Sequence, residues 1–314
     1  MAISYDKLFA LLKERSLQKT DLALGAGLAP ATLAKLSKNQ EVSLKIILKI
    51  CRYLQVQPGD LLSYVPDPEI APLLDRLLSE KKSGLKGGIY QQTQIVLTYN
   101  SNHIEGSKLS YDQTRLIYET NTLLSEKEAG VAVDDVLETA NHFACIRYVL
   151  DHALEPLSEG FIKELHRILK TGTHDASLEW FALGDYKKVP NQIGEKPTTA
   201  PEAVAKAMKK LLASYHAKAS ISFSDIVDFH AQFETIHPFQ DGNGRVGRLI
   251  AFKECLKAGL VPFYIDEDMK VYYYRGLAHY SLNKKQLLET CLTGQDKYKK
   301  ILDYFRIPYP EEKN

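Results

Sequence analysis

The stretch HPFQDGNGRVGR, at positions 237–248, restricts the fold more than any other part of the sequence. Apolar residues at helical spacing predict a helix over 224–236, and the proline at the second position of the stretch stops that helix. Gly242 and Gly244 permit backbone angles that side chains disfavour, so successive N–H groups can converge on an anion. A further helix is predicted over 246–258, and its N-terminus adds N–H donors. We therefore expect two helices joined by an anion-binding loop.

The polar side chains of this stretch suit group transfer from a polyphosphate. Histidine titrates near neutrality, so His237 is a candidate general base for a hydroxyl nucleophile. Asp241 offers the oxygen ligand that Mg²⁺ prefers when the cation is shared with phosphates. Arg245 and Arg248 are three residues apart, which places both on one helix face to bind phosphate oxygens. The Lys-Ser/Thr pair of a Walker A loop is absent, so this is a different phosphate cradle.

The stretch matches the Fic family signature H-x-F-x-(D/E)-G-N-G-R-x-x-R at every defined position, and the chain thus resembles that family. The resemblance implies that His237 is the base and that Asp241 holds Mg²⁺. It also implies that the nucleotide phosphates are bound by Gly242, Asn243, Gly244, Arg245 and Arg248, with Arg248 on the γ-phosphate. Doc-type relatives with an altered loop transfer a terminal phosphate, whereas the intact Gly-Asn-Gly-Arg here implies transfer of AMP from ATP to a Ser, Thr or Tyr hydroxyl. The chain thus resembles a protein adenylyltransferase, and transfer of another nucleotide or a phospho-group stays an alternative.

Two more stretches extend the resemblance over roughly residues 90–305. GDYKKVPNQIG (184–194) is predicted to be a small β-hairpin and resembles the family's flap, which pairs with the main chain of a target protein. The flap residues are Gly184, Tyr186, Val189 and Ile193. VYYYRGL (271–277) resembles the segment beside the nucleoside, which implies nucleotide contacts for Tyr273 and Tyr274. Ordinary core packing of these tyrosines is the alternative.

SNHIEG (101–106) matches the inhibitory motif (S/T)-x-x-x-E-(G/N) that some Fic proteins carry before the catalytic signature. The resemblance implies that Glu105 pairs with Arg248 and so occupies the arginine that the γ-phosphate needs. Ser101 would hold the inhibitory helix against the Gly-Asn-Gly loop, and Gly106 completes the motif. In some family members this glutamate positions water to remove AMP, so a reverse activity is left open. A solvated glutamate at a helix end is the alternative.

The first 65 residues form a distinct basic segment of short predicted helices separated by glycine-bearing turns, in helix-turn-helix order. The segment carries nine basic and five acidic side chains, a balance of +4 in a chain of net charge +1, which suits contact with DNA phosphates. It resembles the Cro- and repressor-type helix-turn-helix domains. By that resemblance the helix Pro30–Ser37 enters the major groove, with Thr32 and Lys35 as candidate DNA contacts. The alternative is a module that dimerises or docks a partner.

A length of 314 residues favours two domains. We predict a helix-turn-helix domain over 1–65, a linker over 66–72, and a Fic catalytic region over 73–314 that includes the inhibitory helix. The expected fold class is mainly α, with the N-terminal helix-turn-helix domain followed by an all-helical Fic fold and a small β-hairpin flap.

The composition predicts a cytoplasmic protein with four reduced, buried cysteines and no membrane segment. Its expected partners are ATP with Mg²⁺, a protein target, the chain itself as a substrate, and DNA through the first domain. A homodimer is left open. The competing function is a DNA-binding regulator whose Fic domain only senses nucleotide, and the intact His237 and Asp241 argue against it because a sensor needs no base.

Overall fold

The computed structural model describes residues 2–65, 71–124 and 130–310. The chain divides into two compact units, Met1–Ile70 and Ala71–Asn314. Of the predicted linker 66–72, residues 66–70 lie outside the described residues, and Pro72 begins the first helix of the second unit. Helices dominate both units, which confirms the mainly α class.

The first unit is a small helical domain closed by a strand pair. Its helices agree with the predicted ones to within two residues at each end, and they are α1 (Asp6–Glu14), α2 (Lys19–Gly25), α3 (Pro30–Ser37), α4 (Leu44–Leu54) and α5 (Pro58–Leu61). Its core is aliphatic and includes Leu8, Leu22, Leu36, Ile50 and Leu61. Strands β1 (Ala2–Ser4) and β2 (Ser63–Val65) pair antiparallel. This pair was not predicted, because three-residue strands carry no readable alternation.

The described residues of the second unit contain ten α-helices. They are α6 (Pro72–Ser83), α7 (Ile89–Ile104), α8 (Tyr111–Thr120), α9 (Val133–Asp151), α10 (Glu159–Lys170), α11 (Pro201–His216), α12 (Phe223–Ile236), α13 (Asn243–Lys257), α14 (Lys270–Ala278) and α15 (Lys284–Phe305). Helices α12 and α13 pack together at the centre, and their buried residues join two large apolar clusters. The core therefore fixes the relative position of the two helices that flank the predicted anion-binding loop.

The start of α13 differs from the prediction for a local reason. The helix begins at Asn243, three residues before the predicted start, because Gly242 takes a left-handed conformation with φ of 78° and serves as its N-cap. Helix α12 begins with a capping box, in which the Ser222 hydroxyl accepts from the Asp225 N–H and the Asp225 carboxylate accepts from Ser222. The loop is thus attached to two well-defined helix ends.

The predicted hairpin over 184–194 is wrong in position. The strands are β3 (Gln192–Ile193) and β4 (Lys196–Pro197), an antiparallel pair that turns through Gly194 with φ of 59°. The preceding segment lacks strand structure because its side chains and main chain are engaged elsewhere, and Tyr186 is buried in the core. Of the predicted flap residues only Ile193 lies in the hairpin.

The cysteines behave as predicted: Cys51, Cys145, Cys255 and Cys291 are buried free thiols. Within the described ranges, no helix is both long enough and apolar enough to cross a membrane.

Helix α14 packs against α15 through Gly276. A Cβ added to this glycine would lie 2.9 Å from the Leu287 Cα, so the two backbones approach closely only because the side chain is missing. In this position α14 contacts α12 and α13 through Tyr273, whose hydroxyl bonds to His230 and Arg248.

Gly276→Ala is expected to destabilise the second unit by about 1–3 kcal/mol, because the methyl group overpacks the α14–α15 contact. Gly160→Ala is the matched control, since an added Cβ there meets only the Ser158 hydroxyl at 3.9 Å. Urea denaturation should show a lower midpoint for the first variant alone. A Gly276→Ala protein as stable as the wild type would refute the close-packing account.

Candidate active site

The loop between α12 and α13 places His237 at a strained backbone position. His237 caps α12 in the left-handed region, with φ of 52°, and its N–H donates to the Phe233 carbonyl at 2.9 Å. A non-glycine residue adopts this conformation only where the surrounding structure enforces it. The local geometry turns the chain out of the helix directly at the predicted base.

The loop is held in shape by its own side chains. Asn243 accepts from the Phe239 N–H at 2.8 Å and donates to the Phe239 carbonyl at 2.9 Å. Phe239 is fully buried and stacks face to face on His166, with ring centroids 4.1 Å apart. The Asn243 amide thus shapes the loop, with Gly242 and Gly244 on either side of it, and the predicted phosphate contacts of these three residues stay a prediction.

The segment before the hairpin is tied to the same loop. The Lys187 N–H donates to the Pro238 carbonyl at 2.9 Å, and the Asn191 side chain donates to the Phe239 carbonyl at 3.0 Å. Gly184, with φ of 69°, donates its N–H to His166 Nδ1 at 3.0 Å. The hairpin β3–β4 is thus anchored to the loop that carries His237, and Val189 and Ile193 are exposed on this segment.

His237 is poised to be neutral near pH 7. Burial lowers its pKa below the ordinary 6.5, and the nearby Lys187 ammonium acts in the same direction. Nδ1 lies 3.3 Å from the Glu234 carbonyl oxygen, so a proton on Nδ1 is satisfied there and leaves Nε2 as the acceptor. This tautomer is the one that a general base requires.

Two buried titratable groups lie behind the histidine. Burial raises the pKa of Glu234 to about 8, so it is a neutral acid near pH 7, with a carboxyl oxygen 4.0 Å from His237 Nδ1. His230 donates or accepts at the Tyr273 hydroxyl at 2.7 Å, and burial lowers its pKa to about 3. His230 is therefore a packed, hydrogen-bonded histidine.

The C-terminal end of α7, which carries the predicted inhibitory motif, binds Arg248. Its guanidinium donates to the Glu105 carboxylate at 2.7 Å, to the Ser101 hydroxyl at 3.0 Å and to the Ser101 carbonyl at 2.9 Å. Burial works to lower the pKa of Arg248, and the Glu105 carboxylate outweighs it and raises that pKa. Ser101 thus binds Arg248, and its predicted role of holding the inhibitory helix against the Gly-Asn-Gly loop stays a prediction.

Glu105 also lies directly against the glycine loop. It follows the last residue of α7, and Gly106, with φ of 103°, turns the chain away from the helix. A Cβ added to Gly244 would lie 2.1 Å from Glu105 Oε1. The carboxylate therefore occupies space beside the loop that was predicted to hold the phosphates.

Asp241 is half-exposed at the other side of the loop. Its Oδ2 accepts from Lys170 at 2.6 Å and from Arg245 at 3.2 Å, and 47% of the side chain is exposed. Although burial opposes it, Arg245 and Lys170 hold the pKa of Asp241 at about 2. Arg245 also pairs with Glu138 and is buried, and its predicted contact with the nucleotide phosphates stays a prediction.

An exposed carboxylate oxygen fits Mg²⁺, which binds through one or two protein carboxylates and completes its shell with phosphates and water. No cluster of three or more His, Cys, Asp or Glu side chains suited to a metal ion occurs among the described residues. A cation at Asp241 would accordingly need most of its ligands from elsewhere.

The two tyrosines of α14 that were predicted to contact the nucleotide, Tyr273 and Tyr274, differ in burial. Tyr273 is fully buried and bonded to His230, so its predicted nucleotide contact is replaced by core packing. Tyr274 is 40% exposed, and its hydroxyl lies 3.3 Å from the Ile104 carbonyl, next to Glu105. Only Tyr274 has a surface free for a ligand.

The predicted DNA contacts lie on α3. Lys35 is exposed and Thr32 is partly exposed. The helix is short and begins with Pro30, which is preorganised for a first turn.

Lys170, Glu138, His166 and Asn191 were missed by sequence reasoning. They reach the loop from α10, α9 and the segment before β3, and no local spacing relates them to positions 237–248. Among the residues that contact the loop from outside it, Lys187 alone was marked by the sequence, because the family's flap often has arginine at this position.

Comparison with known proteins assigns both units. Residues 156–254 match the Fic/DOC family, and residues 7–67 match the Cro/C1-type helix-turn-helix DNA-binding domain. These matches confirm the two resemblances.

Curated relatives share the catalytic part. Protein adenylyltransferase fic-1 of Caenorhabditis elegans is 24% identical over 194 residues, which is 60% of this chain and 36% of the relative. Protein adenylyltransferase Fic of Drosophila persimilis is 27% identical over 184 residues, 57% of this chain and 34% of the relative. The chain thus spans about a third of the length of these relatives.

Solved structures show the same fold. Fic-1 from C. elegans aligns with a TM-score of 0.59 at 17% identity, covering 96% of this chain and 98% of that one. A Fic domain containing signaling protein from Bacteroides thetaiotaomicron aligns with a TM-score of 0.54 at 24% identity, covering 74% of this chain and 91% of that one.

The environment of His237 predicts a pKa below 6.5. Lys187→Met is expected to raise it, because a neighbouring positive charge that disfavours the imidazolium is removed. Lys188→Met, at the adjacent exposed lysine, should leave it unchanged. A histidine-ring NMR titration, with the signal assigned by its loss in His237→Gln, measures the effect. A His237 pKa at or above 6.5 in the wild type would contradict the assignment.

Proposed function

We propose that this chain, in which a Cro/C1-type helix-turn-helix domain precedes a Fic/DOC domain, is a protein adenylyltransferase that Glu105 holds in an inhibited state. Its substrates are ATP and a Ser, Thr or Tyr hydroxyl of a protein, including its own chain. The observation that carries the proposal is a neutral histidine joined in one loop to a glycine-rich helix N-terminus. The relatives named protein adenylyltransferase support it.

The proposed reaction uses His237 at one end of the loop and the N-terminus of α13 at the other. Nε2 of His237 takes the proton of the target hydroxyl, and the hydroxyl oxygen forms a bond to the α-phosphorus of ATP. The bond between the α-phosphorus and the oxygen bridging to the β-phosphate breaks, and pyrophosphate leaves. The N–H groups at the start of α13 stabilise the charge on the phosphate oxygens.

Asp241 is the residue that would hold Mg²⁺, through its half-exposed carboxylate. The cation, when bound, supplies positive charge to the phosphates. His166 and Asn243 keep the loop in one conformation, so little reorganisation accompanies nucleotide binding.

The hairpin β3–β4 supports presentation of the target. Its strands are only two residues long, and Ile193 is exposed. An extended target segment can add a strand to such an edge by main-chain hydrogen bonds. Because Asn191 anchors the hairpin to the loop at Phe239, a target bound there is held near His237.

Inhibition rests on competition for Arg248. The guanidinium that would bind the γ-phosphate is engaged by Glu105 and Ser101. A nucleotide bound without this arginine can place its phosphates out of line with the incoming hydroxyl. The same carboxylate could orient water for removal of AMP, and release of AMP from a modified target by the wild type but not by Glu105→Gly tests that second activity.

His237→Ala is expected to abolish AMP transfer and to leave ATP binding within about threefold of the wild type, because the base acts on the nucleophile and not on the phosphates. His152→Ala is the control, a histidine that directly follows the C-terminal end of α9 and contacts Glu155. Transfer of label from α-labelled ATP, beside calorimetric ATP binding, separates the two effects. Transfer by His237→Ala at a near wild-type rate would remove this residue from the role.

Glu105→Gly is expected to raise AMP transfer, including self-modification, by roughly 30- to 150-fold, the effect of a bias of about 2–3 kcal/mol toward the inhibited pose. Arg248→Ala should not reproduce the gain, because it loses the phosphate contact together with the inhibitory one. Labelled ATP, CTP, GTP and UTP are assayed in parallel to establish the nucleotide. A Glu105→Gly protein no more active than wild type would refute inhibition while leaving the transferase assignment intact.

The chain is expected to bind duplex DNA through its first unit, and the affinity should fall steeply with salt concentration, because residues 1–65 carry a net charge of +4. Lys35→Ala should weaken binding and reduce the salt slope by about one, as for a lost phosphate contact. Lys13→Ala, an exposed lysine on α1, should have less effect. Fluorescence titration at two salt concentrations measures both. Undetectable binding at low salt would favour a docking or dimerising role.

A further inference from the structure

Four charged side chains from four parts of the second unit form a closed ring beside the glycine loop. Lys170, the last residue of α10, pairs with Glu138 of α9 and with Asp241 of the loop. Arg245 of α13 pairs with the same two carboxylates. The ring contains two positive and two negative charges, so its formal charge is zero.

The ring is buried on three sides and open on one. The side chains of Lys170, Arg245 and Glu138 are 4%, 6% and 13% exposed, whereas that of Asp241 is 47% exposed. Both cations bind the same Asp241 oxygen, Oδ2, while about half of the Asp241 side chain, 47%, is exposed. The buried members therefore orient the one carboxylate that a cation can reach.

This arrangement has an electrostatic consequence for a divalent cation. A cation at the carboxylate gains from Asp241 but is repelled by the Lys170 ammonium, which lies within a few ångströms and is little screened because it is buried. The phosphates of a nucleotide would supply the negative charge that the ring does not. Metal and nucleotide are thus each favoured by the presence of the other.

We propose that Lys170 is a positioning residue that makes divalent-cation binding at Asp241 depend on a bound nucleotide. Lys170 holds Oδ2 of the half-exposed carboxylate, and its charge prevents the empty loop from retaining a free cation. The cation then enters together with the nucleotide phosphates. The proposal rests on the proposed nucleotide site, since it assigns the phosphates to the same loop.

Lys170→Met is the decisive variant, because it approximately keeps the length of the side chain and removes its charge. Lys170→Arg keeps the charge. Lys81→Met is the matched control: it removes a lysine that pairs with Asp151 at the other end of α9, about 20 Å along the helix from Glu138. Mn²⁺ is the probe, and its free concentration is read by electron paramagnetic resonance, first without nucleotide and then with ADP.

In the wild type, Mn²⁺ is expected to bind weakly alone and much more tightly with ADP. In Lys170→Met, binding without nucleotide should tighten at least about tenfold, because a nearby buried positive charge is gone. Metal-free ADP should bind this variant more weakly than it binds the wild type, so the two affinities move in opposite directions. Lys170→Arg and Lys81→Met should behave as the wild type does.

Glu138→Gln provides a second test that does not depend on how well Lys170→Met folds. It removes a negative charge and keeps Lys170, so Mn²⁺ binding without nucleotide should weaken. Asp241→Asn should abolish the tight binding of Lys170→Met, which excludes sites elsewhere.

The proposal is overturned if a folded Lys170→Met binds free Mn²⁺ no more tightly than the wild type, or if it loses affinity for Mn²⁺ and ADP alike, as a purely structural role predicts. These readouts involve no group transfer. If no AMP transfer is found in any variant while the Mn²⁺ affinities shift as expected, the role of Lys170 stands and the proposed adenylyltransferase function fails.

Discussion

The contact between Glu105 and Arg248 is the interaction on which the proposed function and its inhibition depend. It joins the end of α7 to the first turns of α13, and Ser101 and Tyr273 complete the shell around the guanidinium. A buried arginine without a partner is costly, so some acceptor must occupy this position. In the described state the acceptor belongs to the protein, and in the proposed active state it is the γ-phosphate of the nucleotide.

The rest of the loop is held in place, so that the replacement of Glu105 by the γ-phosphate at Arg248 is the only change the proposed activation requires. Phe239 is fixed by stacking on His166 and by both hydrogen bonds of Asn243, and His237 is held at a strained position with its Nδ1 side facing a carbonyl. Fixed dipoles and a neutral base require little rearrangement on substrate binding. In the proposed mechanism, activity is accordingly governed by which anion Arg248 binds, while the groups of the loop stay in place.

Local features were predictable from the sequence, and remote contacts were not. The helices of the first unit were predicted from the spacing of their residues. The pairing of Glu105 with Arg248 was predicted from two motifs, each of which lies within a few residues. Glu138 and Lys170 were missed, since a buried charge ring is formed by tertiary packing among α9, α10 and α13. The predicted hairpin was displaced because residues before β3 are committed to the catalytic loop, and Tyr273 was misassigned because an aromatic run gives no sign of which ring faces the core.

The most direct test of the account compares the affinities of ATP and ADP for the wild type and for Glu105→Gly by isothermal titration calorimetry with Mg²⁺. If Glu105 occupies the γ-phosphate arginine, the wild type gains little from the third phosphate and binds ATP and ADP within about threefold of each other. Glu105→Gly should then prefer ATP by at least about tenfold, the size of one charge-assisted hydrogen bond. An equal preference for ATP over ADP in both proteins would contradict the central claim.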